Sequence, residues 1–358
     1  MREAIYEVLE ELTTLDGVSG HETAVVRRLS DLLRPVTDDL TVDHMGNIYA
    51  VRKGAKPGPT VAVFAHSDEI GMMVTSIDPD GFIRFTTIGG TPVPVLPGRV
   101  VRINGRSLGV TGIKSGHYQT AEDASRATPV ADSFIDVGAE SASDVQAMGI
   151  AVGDPIVIVA PLVRLTHNPD LVAGKAVDNR IACALLCRLF LDRVSVPAGT
   201  LMGVIAVQEE VGLRGARVAA HRVQPDLAIV VDTMPAAGTP DMRRHAQLNA
   251  MMGRGPVFQV MSRGFLLPDA MKELLVGTAQ EAGIPHQLSA LHTSNTDAAE
   301  VHLSGKGIPT GVIALARRYS HSPVELLDLK DAAHALDLLQ RIVGRMDRLP
   351  AFSSGARA

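Results

Sequence analysis

The stretch LMGVIAVQEEVGLRGA, residues 201–216, decides how the chain folds. Leu201–Val207 is short and almost wholly apolar, the mark of a strand covered on both faces in a sheet interior. Gln208 ends that run, and the glycines at 212 and 215 lead into a helical pattern over Gly215–Ala220. Strand, loop and helix in that order predict an α/β sheet, and such sheets gather ligands where their strands end. Glu209 and Glu210 stand at that point. Adjacent carboxylates repel unless one is protonated or a cation neutralises them. Two acids can also decorate an exposed helix start. At the end of an interior strand, however, one acid can hold a metal while its neighbour takes a proton from water.

The same arrangement recurs outward from this stretch. Val61–Ala65 is apolar and runs into His66-Ser67-Asp68, so His66 can bind a metal while Asp68 fixes its ring. Leu227–Val231 precedes Asp232, and a strand candidate around Ile313–Leu315 precedes His321. Asp178-Asn179-Arg180 opens the helical pattern that runs to Phe190, where Asp178 suits either an N-cap or a carboxylate bridging two cations. Each of these pieces alone has a structural reading. Together, His66, Asp178, Glu210, Asp232 and His321 supply two imidazoles and three carboxylates, a set suited to Zn, Co or Mn. The absence of thiolates argues against an iron–sulfur cluster, and Glu209 is left over as a base.

Between about residues 72 and 165 the texture changes. Ile77–Gly81 reads as a turn, and Gly89, Gly90, Gly98, Gly105, Gly109, Gly112 and Gly116 punctuate short strand candidates. Many short strands predict a small β-rich domain, with one short helix over Ser141–Met148. The α/β pattern on either side is then one domain carrying an insert, divided as 1–71, 72–165 and 166–358. Helices are expected over 3–13, from Val25 to Leu32, over Met271–Ala282 and over Asp328–Met346. Ser19 is the expected cap of the second, with Glu22 completing a capping box.

Composition narrows the function. The 358 residues carry a net charge of −5 and are 46 % hydrophobic but only 3 % aromatic, with no Trp. This balance gives no electrostatic basis for nucleic-acid binding, and it deprives a polysaccharide groove of stacking rings. No apolar run approaches the roughly 18–20 residues needed to cross a bilayer. The first residues lack the apolar stretch of a signal peptide. Cys183 and Cys187 suit buried free thiols. A cytoplasmic protein is expected, and the tail Ser353–Ala358 reads as dispensable.

The motifs AHSDEIG (65–71), GKAVDNR (174–180), QEEVGLRGA (208–216), NTDA (295–298) and YSHSPVE (319–325), with Asp232, SGHE (19–22) and Gly46-Asn47, resemble the M42 family of metallo-aminopeptidases. That group includes glutamyl aminopeptidases and proteins once labelled endoglucanase. The resemblance spans essentially the whole chain. It implies a mixed β-sheet flanked by helices, with an inserted PDZ-like or barrel-like dimerisation domain. It further implies that His66, Asp178 and Asp232 bind one divalent ion and that Asp178, Glu210 and His321 bind the other. Glu209 becomes the general base, and Asp68 supports His66. The activity implied is removal of N-terminal residues from peptides with a free α-amine, in homodimers that build a hollow tetrahedral dodecamer.

Ser67 stands where the family often has an apolar residue, and Ser294-Asn295 where it often has glycines, which blurs the substrate pocket. Met251–Gly255 and Leu291–Asp297 are the segments expected to shape that pocket. Within the first, Arg254 suits an acidic substrate, an internal pair or solvent. His117 is read as a structural or neighbouring-subunit residue. The nearest alternative on the same residues is a deacylase or carboxypeptidase with a similar centre. A glycosidase or an inactive scaffold fits less well.

Overall fold

A computed structural model of the chain describes residues 1–242 and 248–349. The 353–358 tail lies outside them. Four parallel strands form the middle of the large sheet, in the order Thr200–Ala206, Thr60–His66, Leu227–Pro235 and Thr310–Arg318. Antiparallel strands extend it on both sides, Ile48–Lys53 beside the first and Glu325–Asp328 beside the last.

The apolar runs are continuous because both faces are covered. Val61, Val63 and Ala65 pack into a core with the helices Arg2–Thr14, Val177–Leu191 and Leu329–Val343. Ala62 and Phe64, pointing the other way, meet Ala216, Ala219 and Ala220 of the helix Arg214–Val223, together with Ala298 and Val301. Successive side chains of a strand alternate between faces, so each of these apolar runs has to fill two cores at once. The result is the expected mixed sheet flanked by helices.

The insert is a closed barrel of six short strands, from Gly71–Ile77 to Pro155–Ile158. It has its own core around Met72, Val74, Ile83, Phe85, Val101, Ile103 and Ile156. The short helix Ala142–Ala147 forms with Ser141 as its cap. A second one, Ala121–Ser125, is started by a Thr120–Asp123 capping box. Val163–Arg164, at the end of the sequence-defined insert, pairs with Leu171–Gly174 in the large sheet. No helix among the described residues is long and apolar enough to cross a membrane.

One expected cap is replaced. The helix Thr23–Leu33 starts at Glu22 without a side-chain cap. Ser19 Oγ instead donates to Asp68 Oδ2 at 2.6 Å, and the Glu22 carboxylate accepts from the backbone N–H of Gly20 and Gln208. Both side chains serve the edge of the sheet where the acids gather, a stronger demand than the helix end.

Candidate metal centre

Strand register assembles the centre. Ala206 lies beside His66, Val230 beside Phe64, and Ala314 beside Asp232. His66 and Asp232 therefore stand level on neighbouring strands, where Thr60–His66 and Thr200–Ala206 finish. Asp232 is not the end of its strand, as the apolar pattern suggested. Pairing continues to Pro235 opposite Arg317, because the partner strand extends equally far.

Asp178 is not an N-cap either. Ala176 occupies that position, and the backbone of Asp178 and Asn179 departs from helical geometry. This turns the Asp178 carboxylate toward the strand ends. Left-handed backbone, costly for residues with a Cβ, concentrates here: Ala176, Gln208, Tyr319 and His321 all have positive φ. Each lies at or within two residues of a side chain of the centre, so local conformation is subordinated to aiming those groups.

The acids and histidines converge on two overlapping triads. His66, Asp178 and Asp232 can present ligand atoms within 4.8 Å of one another, as can Asp178, Glu210 and His321. His66 Nε2 lies 3.3 Å from Asp178 Oδ1 and 3.7 Å from Asp232 Oδ1. His321 Nε2 lies 3.6 Å from Asp178 Oδ2 and 3.5 Å from Glu210 Oε2. Asp178 thus offers one oxygen to each triad. Glu209 belongs to neither, and its Oε2 is 3.9 Å from His66 Nε2.

Supporting contacts hold these groups in place. Asp68 Oδ1 lies 3.3 Å from His66 Nδ1, while the Asp68 carboxylate accepts the backbone N–H of Glu209 at 2.9 Å and of Glu210 at 3.1 Å. One buried acid therefore positions a histidine and both members of the acidic pair. His321 Nδ1 lies 3.1 Å from the carbonyl oxygen of Gly90, contributed by the insert, which leaves Nε2 for the triad. Sequence reasoning assigned no role to Arg317, Glu325 or Gly90. The Arg317 guanidinium pairs with both Asp178 and Glu325, and Glu325 accepts the backbone N–H of Asp178 and of His321 at 2.9 and 2.8 Å. The signal available was an arginine directly after the apolar strand, followed eight residues later by a glutamate that ends YSHSPVE.

The charges of the centre call for cations. Burial, reinforced by neighbouring acids, raises Glu209 well above its ordinary value and Glu210 to about 8. Burial also raises Asp232. Asp178 moves the other way: against burial, Arg317 and the two histidines hold it well below the usual carboxylate range. His321 is raised to about 9, Asp178 and Glu210 outweighing the effect of burial. Asp178 Oδ1, facing His66, is buried without a hydrogen-bond partner. Mixed imidazole and carboxylate donors, crowded acids and an orphaned bridging oxygen fit a pair of divalent ions. The centre is a dinuclear metal-binding site.

It lies in a solvent-open cleft of about 690 Å³. Thr293, Ser294 and Asn295 line the cleft, as the sequence predicted for that segment. Met251–Gly255 is not among the described lining residues. It is tied elsewhere, with Asp331 accepting the backbone N–H of Gly253 and Gly255, and Arg254 is exposed. His117 is exposed on a turn of the insert and is likewise not among the lining residues.

Known proteins share this architecture. The chain is 34 % identical over 354 residues to the FrvX protein of Escherichia coli (strain K12), covering 97 % of this chain and 98 % of that one. Its fold matches an aminopeptidase from the archaeon Desulfurococcus kamchatkensis with a TM-score of 0.93 and 30 % identity, over 100 % and 99 % of the two chains. It also matches the TET1 peptidase of Pyrococcus horikoshii, described as assembling into a tetrahedron or a large octahedral shell, with a TM-score of 0.84 and 25 % identity over 95 % and 99 %. The family profile described as M42 glutamyl aminopeptidase matches residues 46–338, and with its two metal-binding triads the chain belongs to the M42 family of metallopeptidases.

Proposed function

We propose that the chain is an aminopeptidase that hydrolyses the first peptide bond of peptides with a free α-amine, with Glu209 as general base. The position of Glu209 carries this reading: it stands beside His66 with its side chain only 11 % exposed, outside both ligand triads, and its backbone is held by Asp68. His66, Asp178 and Asp232 would hold one divalent ion, and Asp178, Glu210 and His321 the other, with Zn, Co or Mn suited to the donor set. Bound there, such ions supply Lewis acidity that lowers the pKa of water and polarises a carbonyl. Glu209 takes the proton of the attacking water and returns it to the leaving amine. Asp68 keeps His66 and the Glu209-Glu210 backbone in register throughout.

Glu209→Gln tests the assignment. It should retain both metals by elemental analysis and lose about 10²–10⁴-fold in turnover. Substantial turnover in the fully metallated variant would refute the role of Glu209. Free-amine peptides should be cleaved, and N-blocked peptides and acyl-amino acids should not. The reverse pattern would favour a deacylase or carboxypeptidase.

The division 1–71, 72–165 and 166–358 fits a catalytic domain interrupted by a dimerisation module. The barrel exposes Val100, Leu108, Val110 and Ile113, an apolar surface suited to a second copy. Homodimers assembling into a tetrahedral dodecamer in the cytoplasm extend this reading. The buried free thiols Cys183 and Cys187 agree with a reducing compartment.

A further inference from the structure

We infer that the cleft selects peptides whose N-terminal residue carries a cationic side chain, lysine or arginine, and that Glu300 is the residue that reads it. The inference rests on the aminopeptidase reading and names the substrate class for the same cleft. Among the described lining residues, the ionisable side chains fall into three groups. His66, Asp178, Glu209, Glu210, Asp232 and His321 make up the metal centre. Arg317 is buried and already paired with Asp178 and Glu325. Glu300 alone stands outside both the centre and its buried ion pairs.

Its one ionic neighbour holds it loosely. Arg217 Nε stands 3.7 Å from Glu300 Oε2, and the Arg217 side chain is 77 % exposed against 31 % for Glu300. An exposed pair at that distance contributes little and is readily exchanged. Glu300 also lines a second groove together with Arg217 and Leu303, so the residue stands between that groove and the metal cleft. A substrate ammonium or guanidinium entering from the cleft can replace Arg217 without stripping a buried charge. The nearby wall of Thr293, Ser294 and Asn295 is polar and uncharged, suited to a hydrated cation more than to a branched aliphatic side chain. An acidic N-terminal residue meets the opposite situation, with no uncommitted cation among the described lining residues.

The test uses the full-length, metal-loaded protein and N-terminal lysyl, leucyl and glutamyl dipeptides, each followed by alanine. Wild-type kcat/KM should favour lysyl over glutamyl by about tenfold or more, as expected for a charge pair at a partly solvated site. Glu300→Gln should lower the lysyl value about fivefold or more and leave the leucyl value within about twofold. Glu300→Lys should invert the lysyl-to-glutamyl order. High salt should shrink the wild-type preference by screening. Ala-Lys, with the cation on the second residue, should show no dependence on Glu300.

Calorimetric binding of free L-lysine, L-leucine and L-glutamate gives a readout apart from turnover, and lysine should lose affinity in Glu300→Gln while leucine does not. Cleavage of all three dipeptides with ratios unchanged in both variants overturns the Glu300 inference and leaves the aminopeptidase reading standing. No cleavage of any free-amine peptide, with lysine binding still dependent on Glu300, has the opposite meaning.

Discussion

Arg317 and Glu325 form a buried ion pair that holds two of the three ligands of the second metal triad, Asp178 and His321. The guanidinium also contacts Asp178, and the Glu325 carboxylate receives the backbone N–H of Asp178 and of His321. The bridging carboxylate and the histidine come from segments far apart in the chain, and this single pair sets their relative position.

Arg317→Met should therefore do more than remove a charge. It leaves Glu325 buried without its partner, and breaking a buried pair from one side costs about 3–5 kcal/mol. Denaturant unfolding should show a loss of that order. Glu325→Gln, which keeps volume and one acceptor oxygen, should cost less. If Arg317→Met were as stable as wild type, the pair would not organise the fold at this point.

Gly90 makes a prediction about the insert. A Cβ added there would lie 2.7 Å from His321 Nδ1, the atom that faces the Gly90 carbonyl. Gly90→Ala should displace the imidazole and weaken the triad containing it, lowering affinity for one metal of the two by about 10–100-fold. Gly116→Ala in the same insert, where a Cβ meets nothing within 4 Å, is the control and should bind both metals normally. Competitive chelation separates the outcomes, and equal metal binding in the two variants would remove the insert from the centre.

Asp68→Asn should show how much of the catalytic geometry depends on one carboxylate. Its oxygens accept from Ser19 Oγ and from the backbone N–H of Glu209 and Glu210. An amide has one acceptor oxygen, so at least one of these donors would face an NH₂ group. The expected result is a drop of about 10–100-fold in turnover or metal affinity, with far-UV circular dichroism unchanged. Wild-type kinetics in the variant would make Asp68 a bystander.

Much of this centre was legible in the sequence because its ligands follow apolar runs whose type is unambiguous. Val61–Ala65, Leu201–Val207 and Leu227–Val231 can only be interior strands, so the acids and histidines after them had to meet at one edge. Ser19, Asp178, Arg317, Gly90 and Glu300 were read wrongly, left open or not read at all, for a common reason. Each is placed by a contact with a residue roughly 50 or more positions away in the chain, whether Asp68, His66, Asp178, His321 or, more loosely, Arg217. Local patterns do not encode such pairings. Ser19 and Asp178 also fit the pattern of a helix cap, and tertiary contacts overrode it. The role of Met251–Gly255 was misjudged similarly, since its anchor is Asp331 in the closing helix.

Removal of metal should make stability fall as pH rises. Glu210 is raised from the ordinary glutamate value to about 8, chiefly by burial and then by Asp178. Asp297, buried with both carboxylate oxygens unpartnered, is also raised to about 8, by burial first and then by Asp232. A carboxyl whose folded pKa lies above its unfolded value binds more protons in the folded state, so its contribution is fully present below the unfolded pKa. That contribution is lost as pH climbs through the folded value. His321, raised to about 9, acts in the same direction: its charged form is favoured by folding, and the benefit disappears above that pH. The chelated protein should thus lose Tm progressively from about pH 5 to 9. Bound divalent ions neutralise the same acids, so the loaded protein should show a flatter profile and the Tm gap between the two should widen with pH. Thermal unfolding of chelated and reloaded samples across that range checks this. A gap that narrows as pH rises would mean that the acids of the centre do not carry their protons in the folded chain.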